Sequence, residues 1–174
     1  MFANTASSVR AGGNLTMKIE VVTAFAICTG FTTVLGTVAG SAARADDLVT
    51  AVYSGVNQLR QTCGVIANDP RLTAAAQRQA DDLVSHGLGG GHIGSDGSSP
   101  QARTGDAGYP RTGFTGEIIY WGTGSRANPG AALDWWMESP VHRAVILNCA
   151  FTAAGFAIAW DGNKMIVVGD FATP

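Results

Sequence analysis

Apolar residues recur at helical spacing early in the chain. Val49, Val52, Val56 and Leu59 fall on one face, and the pattern ends near Cys63-Gly64. Pro70 opens a second such stretch, with Leu72, Ala76, Leu83 and Val84 as its apolar stripe and Arg71, Gln77, Arg78, Asp81 and Asp82 as its solvated face; Gly87 stops it. His86, in its last turn, meets the negative end of the helix dipole and needs no other role. Ser98 or Ser99 ahead of Pro100 starts a third, short helix ended by Gly108. Asn128-Pro129 caps a helix carrying Trp135 and Trp136, and Ser139-Pro140 starts another with His142 in its first turn. The pattern then changes. Phe156, Ile158 and Trp160 lead into Asp161-Gly162-Asn163, a hairpin signal, and residues 165–171 return as a β-rich apolar run. Residues 117–121, between Gly116 and Gly122, are a further strand candidate. Helices first and strands clustered later predict an α+β domain, helices packed on an antiparallel sheet.

The first 45 residues read differently. Met17 is a candidate true start, Lys18 supplies a short positive region, residues 21–40 carry no charge, and Ala43-Arg44-Ala45 before Asp46 is an A-x-A cleavage signal. The rival reading is a retained membrane anchor, because the apolar run approaches the length of a span; its Gly, Thr and Ala content and the cleavage signal favour removal. The expectation is export, to the cell envelope or beyond it, with the membrane met only in transit. Residues 46–174 then form a single domain of 129 residues, large enough to bury about two thirds of its unfolded surface. It holds eight Lys/Arg against twelve Asp/Glu, a net charge near −4. Basic runs are absent, which argues against nucleic acid as a partner. Cys28 falls in the leader, leaving Cys63 and Cys149 as an even pair, read as a disulfide in an exported protein and otherwise as two buried thiols.

Several motif matches fail their context. Gly89-x-Gly91-x-x-Gly94 follows a helix instead of a strand, and Gly122-x-Gly124-x-x-Ala127 lacks the acid that a dinucleotide site needs about 20 residues on. Ile93-Gly94-Ser95-Asp96-Gly97 misses the nucleophile elbow at its first position. A secreted hydrolase using Ser95 with His142 as base, or a metal-activated water held by His92, Glu117 and His142, is the enzyme alternative.

Taken in order, residues 91–100 (GHIGSDGSSP), Arg103, Ala107-Gly108-Tyr109, Gly116-Glu117-Ile118 and residues 136–148 (WMESPVHRAVILN) resemble the bacterial SCP-like branch of the CAP superfamily of cysteine-rich secretory, antigen 5 and pathogenesis-related proteins. The resemblance runs from about Val49 to Phe171. It implies a three-layer α-β-α sandwich with a central antiparallel sheet and a cleft, an exported protein, and no agreed enzymatic activity. In such proteins two histidines and two glutamates line the cleft and sometimes hold a divalent metal, and some members bind sterols or fatty acids. Residue by residue, His92 matches the first histidine, Glu117 the first glutamate and His142 the second histidine. Ile118 replaces an asparagine, and Ser139 stands where the second glutamate belongs, with Glu138 displaced by one. On a helix that displacement is about 100°, so the cleft holds either two histidines and one carboxylate, with Glu138 turned away, or the full set with Glu138 as a further cleft and metal candidate where local geometry compensates.

Two imidazoles and one carboxylate make a zinc set with water in the open fourth position. The same groups can do acid–base work near neutral pH, or form a polar network that only shapes a cleft. The expectation is a binding or interaction module that requires no cofactor, accommodates zinc or another divalent cation at His92, Glu117 and His142, and has a small lipid, sterol or peptide, or an extracellular protein, as partner.

Overall fold

The computed structural model describes residues 36–174, with side chains described from residue 44. The start at Met17, Cys28 and most of the apolar run lie outside the described residues. Helix α1 (Gly36–Leu59) passes through the expected cleavage point at Ala45 without a break. A chain beginning at Asp46 keeps the part that carries Val52 and Val56, both fully buried, and puts Asp46 and Asp47 at the positive end of the helix dipole.

Strands β1 (Ala67–Asn68), β2 (Thr115–Thr123), β3 (Ala153–Asp161) and β4 (Lys164–Ala172) form one sheet in the order β1-β3-β4-β2. The three long strands are antiparallel, and β1 joins β3 in parallel through two residues. Two residues cannot carry an alternation signal, so β1 was not legible as a strand. Asp161 pairs directly with Lys164, so the hairpin turn is Gly162-Asn163, with Gly162 at φ 60° as such a turn requires.

Helix α2 (Pro70–His86) covers one face of the sheet, packing Ala76, Ala80 and Leu83 on Ala157, Ala159, Ile166 and Val168. Its first turn rests directly on Gly155, where a Cβ would lie 2.0 Å from the Thr73 nitrogen. Helices α1, α4 (Pro129–Glu138) and α5 (Pro140–Ile146) cover the other face, where Val52, Val56, Trp136 and Ile146 meet Ile118, Phe156, Val167 and Phe171. The result is the expected three-layer α-β-α sandwich. Both faces of β4 are covered, so residues 165–171 read as continuously apolar instead of alternating.

Three of the helices that begin with proline have a side-chain cap, two of them at expected positions, Asn128 and Ser99, and one at Asp69. Asp69 and Asn128 accept from the first-turn N–H groups of Arg71 and Ala131, and Ser99 accepts from Ala102 at 3.1 Å to start α3 (Pro100–Asp106). Cys63 and Cys149 form a disulfide that ties the end of α1 to the segment after α5. Beside it, Arg60 is buried and donates to the carbonyls of Ile146, Asn148 and Phe151, so the same junction is held by both a covalent bond and a guanidinium.

Candidate functional site

Strand β2 is the edge of the sheet, and its side chains alternate. Ile118 and Tyr120 enter the core under α1 and α4, while Glu117, Ile119 and Trp121 point to the α2 side. Past this edge the two helical layers do not meet, leaving a cavity of about 650 Å³. Leu83 and Leu88 line it from the α2 side, Asp134, Trp135 and Glu138 from α4, His142 from α5, and His92 from the loop before α3. Gly122 fits because the chain returns over it, so a Cβ there would lie 2.4 Å from the Arg126 carbonyl.

His92 is held from behind. Its Nδ1 donates to Glu117 Oε1 at 2.8 Å, and the other carboxylate oxygen accepts from Arg103 at 2.6 Å. Because a carboxylate only accepts, the His92 proton sits on Nδ1 and Nε2 is left to the cavity. The side chains of Arg103 and Glu117 are each 1% exposed. Arg103 also donates to the carbonyls of Ser98 at 2.8 Å and His92 at 3.2 Å, fastening the loop to β2. Asp170 of β4, directly opposite Glu117, is fully buried. Burial, then the Glu117 charge, push its carboxyl well above the usual carboxylate range. Neither of its oxygens has a donor to accept from, which also favours the protonated carboxyl. The cavity thus has behind it a buried Arg103–Glu117–Asp170 cluster in which burial and the Glu117 charge favour the protonated form of Asp170.

His142 is placed by local structure. Ser139 occupies the N-cap position of α5, but its hydroxyl makes no cap bond and lies 2.7 Å from His142 Nδ1 instead. Trp135 packs on the imidazole with ring centroids 4.8 Å apart. Burial, then the nearby His92, lower the His142 pKa, so the neutral ring is favoured. Trp136, on the opposite side of α4, is fully buried and donates its indole N–H to the Ile119 carbonyl at 3.1 Å.

The model of the CAP family, the cysteine-rich secretory protein family, matches residues 53–171. The chain belongs to the CAP family. Among solved structures it is similar to an outer surface protein of Borrelia burgdorferi (21% identity, TM-score 0.64, 74% of this chain and 94% of that one). It is also similar to an SCP-domain extracellular protein of Bacillus anthracis (19% identity, TM-score 0.64, 75% and 41%) and a cysteine-rich secretory protein of Staphylococcus aureus (15% identity, TM-score 0.58, 75% and 40%). The chain thus spans about two fifths of the length of the latter two. No curated protein matches it in sequence. Among the described residues no helix is long and apolar enough to cross a membrane.

Within this CAP domain the expected site residues separate into two groups. His92, His142 and Glu138 line the cavity, whereas Glu117 lies behind it with both oxygens engaged. Of the two placements left open for Glu138, the structure has it at the cavity wall, because the wall includes the last turn of α4. Ile118 is fully buried in the main core, so an apolar residue suits that position. Ser95 is turned elsewhere. Its hydroxyl and N–H both donate to Asp82, which also pairs with His86 at 3.0 Å, so the acid sits between serine and imidazole and no base faces the hydroxyl. His86, read only as a partner of the helix dipole, therefore also has a carboxylate neighbour. A zinc set fits poorly, because Glu117 is committed to Arg103 and His92, and no three His, Cys, Asp or Glu among the described residues are grouped to hold a metal ion. Arg103 was legible only as part of a motif, and Asp170 was passed over inside the apolar run of residues 165–171.

Proposed function

We propose that this is an exported binding module whose cleft receives a small organic ligand between the two histidines and the aromatic wall, without covalent chemistry. The observation that carries the reading is the convergence of His92, His142, Glu138, Trp121 and Trp135 on one cavity. The volume is in the range of small-molecule sites, and the two tryptophans, 54% and 45% exposed, offer apolar faces. The side chain with the best nucleophile signal, Ser95, is bound to Asp82 and has no base. Export is supported by the A-x-A signal before Asp46, the disulfide, and the outer-surface and extracellular descriptions of two structural relatives.

An amide-resolved NMR screen tests this, using small organic fragments, a fatty acid and a sterol as probes. Bound probes should perturb Trp121, Trp135, Glu138 and the two histidines together. Perturbations that map to other surfaces, or no binder in any of the three classes, would defeat the reading.

A further inference from the structure

The floor of the cleft is an unpaired strand edge. The β3–β4 turn closes on the Asp161–Lys164 pair, and hydrogen-bonded pairs of an antiparallel ladder recur at every second residue. Residues 164, 166, 168 and 170 therefore bond to β3, and 165, 167 and 169 bond to β2 through their partners Gly122, Tyr120 and Ile118. The main-chain groups of Ile119, Trp121 and Thr123 point outward. The indole of Trp136 donating to the Ile119 carbonyl fits this phase and takes that one acceptor. Thr123 precedes the 3-10 turn of residues 124–126, which takes its carbonyl; among the described residues no turn, loop or side-chain bond takes the N–H of Ile119, either main-chain group of Trp121 or the N–H of Thr123. All three residues line the cavity, along a stretch of about 14 Å.

The two walls above this edge differ in character. Asp134 and Glu138, four residues apart on α4, both line the cavity, and neither makes an ion pair or side-chain hydrogen bond among the described residues. Opposite them are Leu83 and Leu88. Arg126 is the one Arg or Lys lining the cavity, at the end beyond Thr123. A strand added to β2 presents successive side chains to opposite walls.

We propose that the cleft binds an extended peptide segment by adding it as a strand along Ile119–Thr123, with basic side chains toward Asp134 and Glu138 and alternate apolar side chains toward Leu83 and Leu88. This deepens the proposed function, since it rests on the same cavity and names the class of partner.

The test uses the full-length chain, 15N-labelled, and an end-capped hexapeptide of alternating lysine and valine. The peptide should bind saturably and slow amide exchange at Ile119, Trp121 and Thr123. Two analogues, N-methylated at the lysines or at the valines, locate the main-chain bonds, and one of them should lose at least about tenfold in affinity. Asp134→Asn with Glu138→Gln should weaken binding by a similar factor, and a glutamate-for-lysine peptide should not bind. Equal binding by both N-methylated analogues, or unchanged exchange at the three amides, overturns the proposal. So does protection of those amides that rises with protein concentration in the absence of peptide, which assigns the edge to a second copy. If the hexapeptide fails while small organic probes still bind the cavity, the strand-addition proposal falls and the proposed function stands.

Discussion

Replacing Arg103 by methionine tests whether the cleft is held from behind. The guanidinium and the Glu117 carboxylate are 2.6 Å apart, with each side chain 1% exposed, so the substitution leaves an anion buried beside Asp170 with the His92 Nδ1–H as its remaining hydrogen-bond donor. Removing one member of a buried pair costs about 3–5 kcal/mol. The bonds that fix the carbonyls of Ser98 and His92 are lost as well. Taking about 4 kcal/mol and a urea slope of about 2 kcal/mol per molar, the unfolding midpoint should fall by about 2 M. That is a large part of the stability of an ordinary domain. Adding Glu117→Gln to Arg103→Met removes the stranded charge, so the double variant should recover at least about half of the loss. Urea melts followed by tryptophan fluorescence report both numbers. A midpoint shift below about 0.5 M, or a double variant no more stable than the single one, would refute the reasoning.

Three further outcomes follow from the structure. Trp136→Ala should cost about 3–5 kcal/mol, because the indole is fully buried and its N–H satisfies the Ile119 carbonyl; an unchanged denaturation midpoint contradicts this. The Asp170 carboxyl pKa is raised in the fold above the unfolded value near 3.8, so its contribution to stability is full below that value and declines as pH rises toward its raised folded value. Asp170→Asn needs no proton to face Glu117. It should remain folded, remove that decline and be at least as stable as the parent at pH 7, whereas a variant less stable there would count against the protonated carboxyl. A fluorophosphonate probe should leave Ser95 unlabelled, since its hydroxyl is committed to Asp82; stoichiometric labelling lost in Ser95→Ala would restore the hydrolase alternative.

The helices and the hairpin were legible because their signals are local. Proline at N1 with Asp, Ser or Asn before it, apolar stripes of period 3.6, and a Gly-Asn turn each act within a few residues. The disulfide could be named from an even cysteine count and an export signal. The supports of the cleft were not legible, because burial of a charged residue is a tertiary outcome. Nothing near Arg60, Arg103 or Asp170 in sequence says that carbonyls 86 to 91 residues away, a glutamate on another element, or a retained proton will accommodate them. Glu138 could be placed only to within two alternatives. Helical geometry correctly gave its displacement from the family position, but the cavity wall is broad enough to include the displaced side chain. Ser139, expected only as a cap, positions an imidazole because its hydroxyl has a nearer partner than the backbone.

The central claim is that two imidazoles, supported from behind, are presented to one cavity that binds without reacting. Nitrogen-15 NMR of the histidine rings tests it most directly. The account predicts a His92 proton fixed on Nδ1 by Glu117, and a His142 ring that stays neutral until the pH falls below the ordinary histidine value near 6.5. It further predicts that both rings shift together when a cleft ligand is added, and that the His92 tautomer is lost in Arg103→Met. A His92 ring with freely averaging tautomers, a His142 ring titrating at or above 6.5, and ligand shifts confined to one ring would contradict it.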